Sequence, residues 1–377
     1  SVQCRIPNNI GDLLRSIILK INLGNLTAND TSGSTDHYYL YNPSLGKNII
    51  KYADLLIGGQ LMERITGDYI NMYDQIYSNK DDVEQTLYFL NGHGNHLTVS
   101  DTYNTFYVNL PFYFFRNPSL AIPVCAITKQ LVEVRLTFKN VDEDITFKYS
   151  IPTDGTVRRE KTTEGSIVNA SLITDYYFIT DDEKNYLLTR PMEYVITQLQ
   201  KSTISFKPAD ISKSALLKFK NPTKELFFIA KETTSPISGQ VYDLLLDTNS
   251  DDQSFSSIVI GNGTRYKRSD HRAIKRIKFT CNGSTVFNKT GSELAYHQPL
   301  KFHTGCPDPA YEFYMYSFSL KPEKYYPTGQ LNMSRISHKH INIELDDTSS
   351  TRDINVDVYA LNYNVLRVQS GLAGLKF

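Results

Sequence analysis

Residues 57–75 read IGGQLMERITGDYINMYDQ, and residues 281–299 read CNGSTVFNKTGSELAYHQP. Laid over one another without a gap, they put Gly59 on Gly283, Thr66 on Thr290 and Gly67 on Gly291. A second pair of blocks recurs in the same order: Asn117-Pro118 through Leu136 lies over Tyr326-Pro327 through Leu345. There Pro118 meets Pro327, Ile122 meets Leu331 and Ile127 meets Ile336, while Val132, Val134 and Leu136 meet Ile341, Ile343 and Leu345. Two blocks recurring in order predict a duplication, with two tandem β-domains of one kind.

Strand signals dominate around these blocks. In Leu131 to Phe138, Val132, Val134, Leu136 and Phe138 share one face and Glu133, Arg135 and Thr137 the other, the alternation of a half-buried strand. Ile341 to Leu345 and Ile354 to Val358 alternate likewise, which places Asn355 and Asp357 on a polar face. Gly58-Gly59 and Asn282-Gly283 can each supply the positive φ angles of a tight hairpin turn. Helices are few. Tyr69, Ile70, Tyr73, Ile76 and Tyr77 recur at helical spacing, predicting a short helix laid over a sheet end. Thr180-Asp181-Asp182-Glu183 is a capping box that should start a helix running to about Leu188, closed by Pro191.

The chain has 377 residues, enough for two domains that each bury a core, and the boundary is expected between Arg190 and Ser205, giving domains 1–200 and 201–377. Forty basic and forty acidic side chains cancel, so no global field draws the protein to nucleic acid. With 26 Tyr, 19 Phe and no Trp, the composition favours strands and excludes the Cys-Trp-Cys pattern of an immunoglobulin-type sandwich. Polar stretches at Ala28–Asp36, Asn79–Gln85, Asp154–Glu164, Asp247–Gln253 and Gly261–Asp270 read as long surface loops. Roughly eight strands per half with long loops fit a jelly roll.

Candidate chemistry is sparse. Cys4, Cys125, Cys281 and Cys306 form no CxxC pair and read as buried or free thiols. His93 and His96 share a Gly-rich loop without an acidic or Cys third ligand nearby. His338-Lys339-His340, if extended, would put both imidazoles on one face, though a Lys between them argues for a solvated turn. Asp181-Asp182 and Asp251-Asp252 are explained by capping and solvation. Asn25, Asn29, Asn169, Asn262, Asn282, Asn288 and Asn332 head Asn-x-Ser/Thr sequons and are candidate glycosylation sites, although composition alone produces such triplets. Arg265, Lys267, Arg268, Arg272, Lys275, Arg276 and Lys278 form the one concentrated basic run. It reads as a solvated loop or as a contact to an acidic neighbour or an inner membrane surface. No hydrolase, metalloprotease, phosphate-binding or dinucleotide-binding motif is present, so neither an active site nor a cofactor is expected.

Several segments, taken in order, carry a resemblance. They are Ile6 to Leu13, Ile57 to Gln60 with Tyr69 to Gln75, Leu110-Pro111-Phe112 with Ala121-Ile122-Pro123, Glu193 to Gln198 and Lys224-Glu225-Leu226. Tyr314 to Pro322, Pro327-Thr328-Gly329, Asn332 to Ile336 and Ser370 to Leu375 continue the series. This succession resembles the major capsid proteins of nucleocytoplasmic large DNA viruses. The resemblance implies an all-β double jelly roll in a structural, non-enzymatic capsid protein of the virion, assembled in the host cytoplasm. It also implies pseudo-hexagonal homotrimers tiling an icosahedral shell over an inner membrane, with neighbouring capsomers and minor capsid and penton proteins as partners. Such a trimer accounts for the repeat, because three chains of two like domains present six similar corners.

One departure stands out. Strand-like sequence at Thr203 to Phe206 and Leu216 to Phe219 precedes Asn221-Pro222, whereas only Ser1 to Pro7 precedes Asn8. The first domain is therefore expected to lack a starting strand, supplied by upstream residues or by another chain. The competing functions are a minor capsid or assembly-scaffold protein of the same fold, a glycan-binding lectin-like jelly roll, and a cupin-like metal enzyme.

Overall fold

The computed structural model describes residues 1–24, 35–41, 45–77, 97–98, 105–115, 117–139, 146–152, 158–161, 165–232, 273–305, 313–346 and 353–377. Four antiparallel sheets form two sandwiches. In the first half, one sheet runs β1 (Val2–Ile6), β8 (Val132–Phe138), β4 (Ile50–Ile57), β5 (Gln60–Ile65). The other runs β11 (Ile167–Tyr177), β2 (Leu13–Leu23), β7 (Thr105–Asn109). In the second half, β13 (Ser212–Leu216), β19 (Lys339–Leu345), β15 (Ile274–Cys281) and β16 (Ser284–Thr290) repeat the order of the first sheet. Facing them are β12 (Met192–Phe206), β20 (Ile354–Gln369), β14 (Pro222–Glu232) and β17 (Tyr314–Ser317), with β18 (Leu331–Asn332) on β14 and β21 (Leu372–Leu375) on β20.

The halves are therefore two jelly rolls of one strand order, as the repeat predicts. Gly58 and Gly59 (φ 58° and 79°) turn β4 into β5, and Asn282 and Gly283 (φ 49° and 86°) turn β15 into β16. The register is not identical, since Leu55 pairs with Val134 whereas its counterpart Phe279 pairs with Ile341, two residues from Ile343. A slip of two keeps inward side chains inward, so both cores survive it. Among the described strands, β12 is one topological difference. It runs the length of β20, but no described strand stands in that place beside β11.

Three expectations need correction. The stretch Asp154–Glu164 is not all loop: β10 (Arg158–Lys161) pairs with β9 (Thr146–Pro152), which joins β3 (Thr35–Tyr41) and β6 (Leu97–Thr98) in a small side sheet. β3 also takes up the end of the stretch Ala28–Asp36. After helix α3 (Asp181–Thr189), β12 is continuous from Met192 to Phe206 and pairs throughout with β20 of the second half, so we propose a domain boundary at Arg190, at the start of the expected range.

The third concerns what lies between the halves. After the short helix α1 (Leu45–Asn48), helix α2 (Gly67–Tyr77) does not merely cap a sheet end, since nearly every residue in it is buried, Asn71, Asp74 and Gln75 included. It packs against the outer face of the β12-β20-β14-β17 sheet. On β14, Leu226, Phe228 and Ala230 enter the second core while Phe227 and Ile229 enter the first. On β20, Ile354, Val356, Val358 and Ala360 face the second core, and Tyr359, Leu361, Leu366 and Val368 face the first. Each large side chain so buried contributes about 1.5–3 kcal/mol, so the junction is part of the hydrophobic core of the molecule.

Candidate functional site

With its middle sheet apolar on both faces, the junction must also accommodate the polar groups carried there. Lys231 on β14 forms ion pairs with Asp68, at the start of α2, and with Asp357 on β20 at 3.2 Å. Asp357 is further held by Lys201 Nζ at 2.8 Å and by the Thr203 hydroxyl, which donates at 2.5 Å. The Tyr359 hydroxyl lies 3.1 Å from that of Thr66. Burial alone would raise the Asp68 carboxyl, but the Lys231 ammonium overrides it and holds the group at about 2. Burial would lower Lys231, and Asp68 instead raises it well above its ordinary value. Asp357 thus does not lie on a solvated face as the alternation suggests; that face is covered by the first half.

The other end of α2 meets a second polar cluster. Glu225 on β14 and His303, just past helix α4 (Gln298–Phe302), have fully buried side chains, with His303 Nε2 2.7 Å from Glu225 Oε1. Tyr77 donates to Glu225 at 3.0 Å and sets its ring edge-on to the imidazole at 4.8 Å. Glu323 approaches His303 Nδ1 at 3.6 Å. Burial would raise the Glu225 carboxyl; the adjacent imidazole, with Lys224 and Tyr77, holds it below its ordinary value. Gly305 donates its N–H to the Ile76 carbonyl at 2.9 Å, and a Cβ there would stand 2.3 Å from that oxygen, so only glycine permits this approach. The arrangement holds two sandwiches at one fixed angle. A Lys-Glu pair opening an apolar strand, at Lys224-Glu225, was the available sequence signal.

The residues singled out from sequence are not gathered into one site. Asn169 and Asn288 are exposed on β11 and β16. Asn282 accepts from the His338 N–H at 3.0 Å, and Asn332 caps a 3₁₀ turn by accepting from the Ser334 N–H at 3.1 Å, so both shape turns. Asn25, Asn29 and Asn262 lie outside the described residues, as do Arg265, Lys267, Arg268, Arg272, His93, His96, Cys306 and Asp251-Asp252. Of the basic run, Lys275 pairs with Glu344 at 3.4 Å, while Arg276 and Lys278 are exposed on β15.

His338 and His340 share the outer face with near-parallel rings 6.4 Å apart, a strand lead-in instead of a solvated turn. Lys339 is not between them, because alternation turns it inward to donate to the Met333 and Ile336 carbonyls, each at 2.9 Å. Among the described residues, no three His, Cys, Asp or Glu converge as metal ligands, and Cys4, Cys125 and Cys281 are free thiols.

Sequence and structure comparisons agree with this geometry. The sequence model described as "Major capsid protein N-terminus" matches residues 1–180, and that described as "Large eukaryotic DNA virus major capsid protein" matches residues 183–374. The major capsid protein of Pyramimonas orientalis virus is 28% identical over all of this chain and 86% of its own length. That of Phaeocystis pouchetii virus is 25% identical over all of this chain and 89% of its own length. Among solved structures, a chain of the PBCV-1 virus capsid superposes with a TM-score of 0.74 at 22% identity, covering all of this chain and 92% of that one. The Faustovirus major capsid protein does so with a TM-score of 0.70 at 12% identity, covering 97% and 87%.

Proposed function

Starting from the fact that this chain belongs to the large eukaryotic DNA virus major capsid protein family, we propose that its activity is self-assembly into pseudo-hexagonal homotrimers that tile an icosahedral shell. It is a structural component of the virion and not an enzyme. The observation that carries the proposal is the fusion of two like jelly rolls through one sheet buried on both faces. One chain then offers two similar corners at a fixed angle, and a threefold ring of such chains has six.

Neighbouring capsomers, minor capsid and penton proteins, and an inner membrane beneath the shell complete the proposed set of partners, with assembly in the host cytoplasm. What supports a passive, shape-driven association is the zero formal net charge, under which identical copies pack without strong mutual repulsion. The test is the solution mass by sedimentation equilibrium. Three chains of 43.0 kDa should sediment together as one species of about 129 kDa. A 43.0 kDa monomer at all accessible concentrations would overturn the trimer.

A further inference from the structure

The chain from Gly165 to Val195 contains no buried residue, although it forms a long strand and a capped helix. A nine-residue helix is marginal in water unless an apolar face is covered. Leu187 of α3 leans on the first core and Lys184 reaches Asp12 at 2.9 Å, which fixes the helix on the surface. Phe178, just ahead of the cap, and Tyr186 and Leu188 on the helix are 76%, 52% and 42% exposed. The Ile179 N–H donates to Asp12, and the capping box is complete, so these side chains stand on rigid backbone. Asp181, Asp182 and Glu183 form the acidic first turn, and the Arg190 guanidinium lies over the Tyr186 ring at 4.8 Å, leaving three carboxylates against that one cation.

On the second half, the turn after β17 shows the complementary character. Leu320, Tyr325 and Tyr326 are 79%, 53% and 48% exposed, with the two tyrosine rings edge to face at 5.2 Å. Lys321 and Lys324 border them and are exposed. This turn too is stiff: Thr328 accepts from the Lys321 N–H and donates to its carbonyl, both at 3.0 Å, and Glu323 accepts from the Thr304 N–H at 2.7 Å. Exposed aromatic side chains on preorganised backbone are the usual anchors of an interface, because little freedom is lost on docking.

We propose that the acidic, apolar face of α3 docks on the basic, apolar 320–326 turn of a second copy of this chain. A cyclic trimer needs a heterologous interface made of two different complementary patches, and these lie on different halves. The pairing rests on the trimer proposed above and adds which surfaces close it.

The test is the solution mass of three variants of the full chain. Lys321→Glu with Lys324→Glu sets like charges across the contact and should raise the trimer dissociation constant at least about 10-fold, with unchanged circular dichroism. Adding Asp181→Lys and Asp182→Lys to that chain should restore the trimer. Tyr186→Glu with Leu188→Glu, at sites that touch no core, should dissociate it independently of the charge pairs. A wild-type trimer that survives both the lysine reversal and the Tyr186 and Leu188 changes would overturn the pairing while leaving the trimer intact. A wild-type monomer would overturn the trimer and the pairing with it.

Discussion

Strands β11 and β20 hold the same place in the two jelly rolls, yet they live in opposite surroundings. Each pairs with the like-placed strand of its half, Ile173 opposite Ile18 on β2 and Tyr359 opposite Phe227 on β14. Tyr359 is fully buried, whereas Ile173 is 39% exposed. β20 has β14 on one edge, β12 on the other and a hydrophobic core against each face. β11 has β2 on one edge, nothing described on the other, and no buried residue. Position within a fold does not fix burial; the number of covered sides does. An edge without a partner presents unpaired backbone groups, a ready template for another extended segment.

The comparison is tested first through the buried charges that the covered strand needs and the open one does without. Asp357 is buried, while Ser171, which holds the equivalent register position on β11, is exposed. Lys231→Ala would leave Asp68 and Asp357 buried without their shared cation and should cost about 3–5 kcal/mol, read from the urea midpoint. A loss below about 1 kcal/mol would mean that water reaches the junction and that β20 is less enclosed than its burial indicates.

Leu361→Ala follows, with about 2–5 kcal/mol expected for a fully enclosed side chain. Leu172, on the inner row of β11, is only partly buried against its core, so Leu172→Ala should cost clearly less. Equal losses would break the comparison.

Acid provides the third test. Asp68 is held at about 2 from an ordinary 3.8, so its folded form is the weaker acceptor of protons. Its contribution is present above about pH 4 and is lost as pH falls towards 2, amounting to roughly 2 kcal/mol. Midpoints measured between pH 5 and pH 2 should show this loss, and Asp68→Asn should flatten it.

How far the sequence announced these contrasts depends on the range of the interactions involved. The turns at Gly59 and Gly283, the helix beginning at Gly67 and the capping box at Thr180 are local and were legible, since a few residues contain their whole cause. That the two halves are domains of one kind was legible through the repeat. The two-faced burial was not: Leu226-Phe227-Phe228-Ile229-Ala230 has no alternation to read, and Asp357 alternates as though its face met water. Both facts depend on α2, far away in sequence. The side sheet was partly hidden because β10 sits in a polar stretch that resembles a loop. The exposed apolar patches were missed for the opposite reason, as exposed Tyr and Leu look like core residues until the fold shows them outside.

The helix cap gives a smaller effect. Thr180 accepts from the Glu183 N–H at 3.4 Å, and the Glu183 carboxylate accepts from that of Thr180 at 2.9 Å. Thr180→Ala should cost about 1 kcal/mol at most sites of this kind, and here the loss should fall on α3 alone. Amide hydrogen exchange should therefore quicken in residues 181–189 and stay unchanged along β20.

The smallest expected effect discriminates best. Ile173→Ala on an uncovered strand should change stability by less than about 0.5 kcal/mol, against about 3–5 kcal/mol for Tyr359→Ala at the equivalent position. The measurement must be made at several protein concentrations. In a dissociated chain the two losses should differ as stated, because only Tyr359 has neighbours on every side. If Ile173→Ala becomes costly as concentration rises while Tyr359→Ala does not change, a second copy covers β11 on assembly. If Ile173→Ala is costly even at high dilution, the edge is already covered within one chain, and the contrast between the two strands fails at its source.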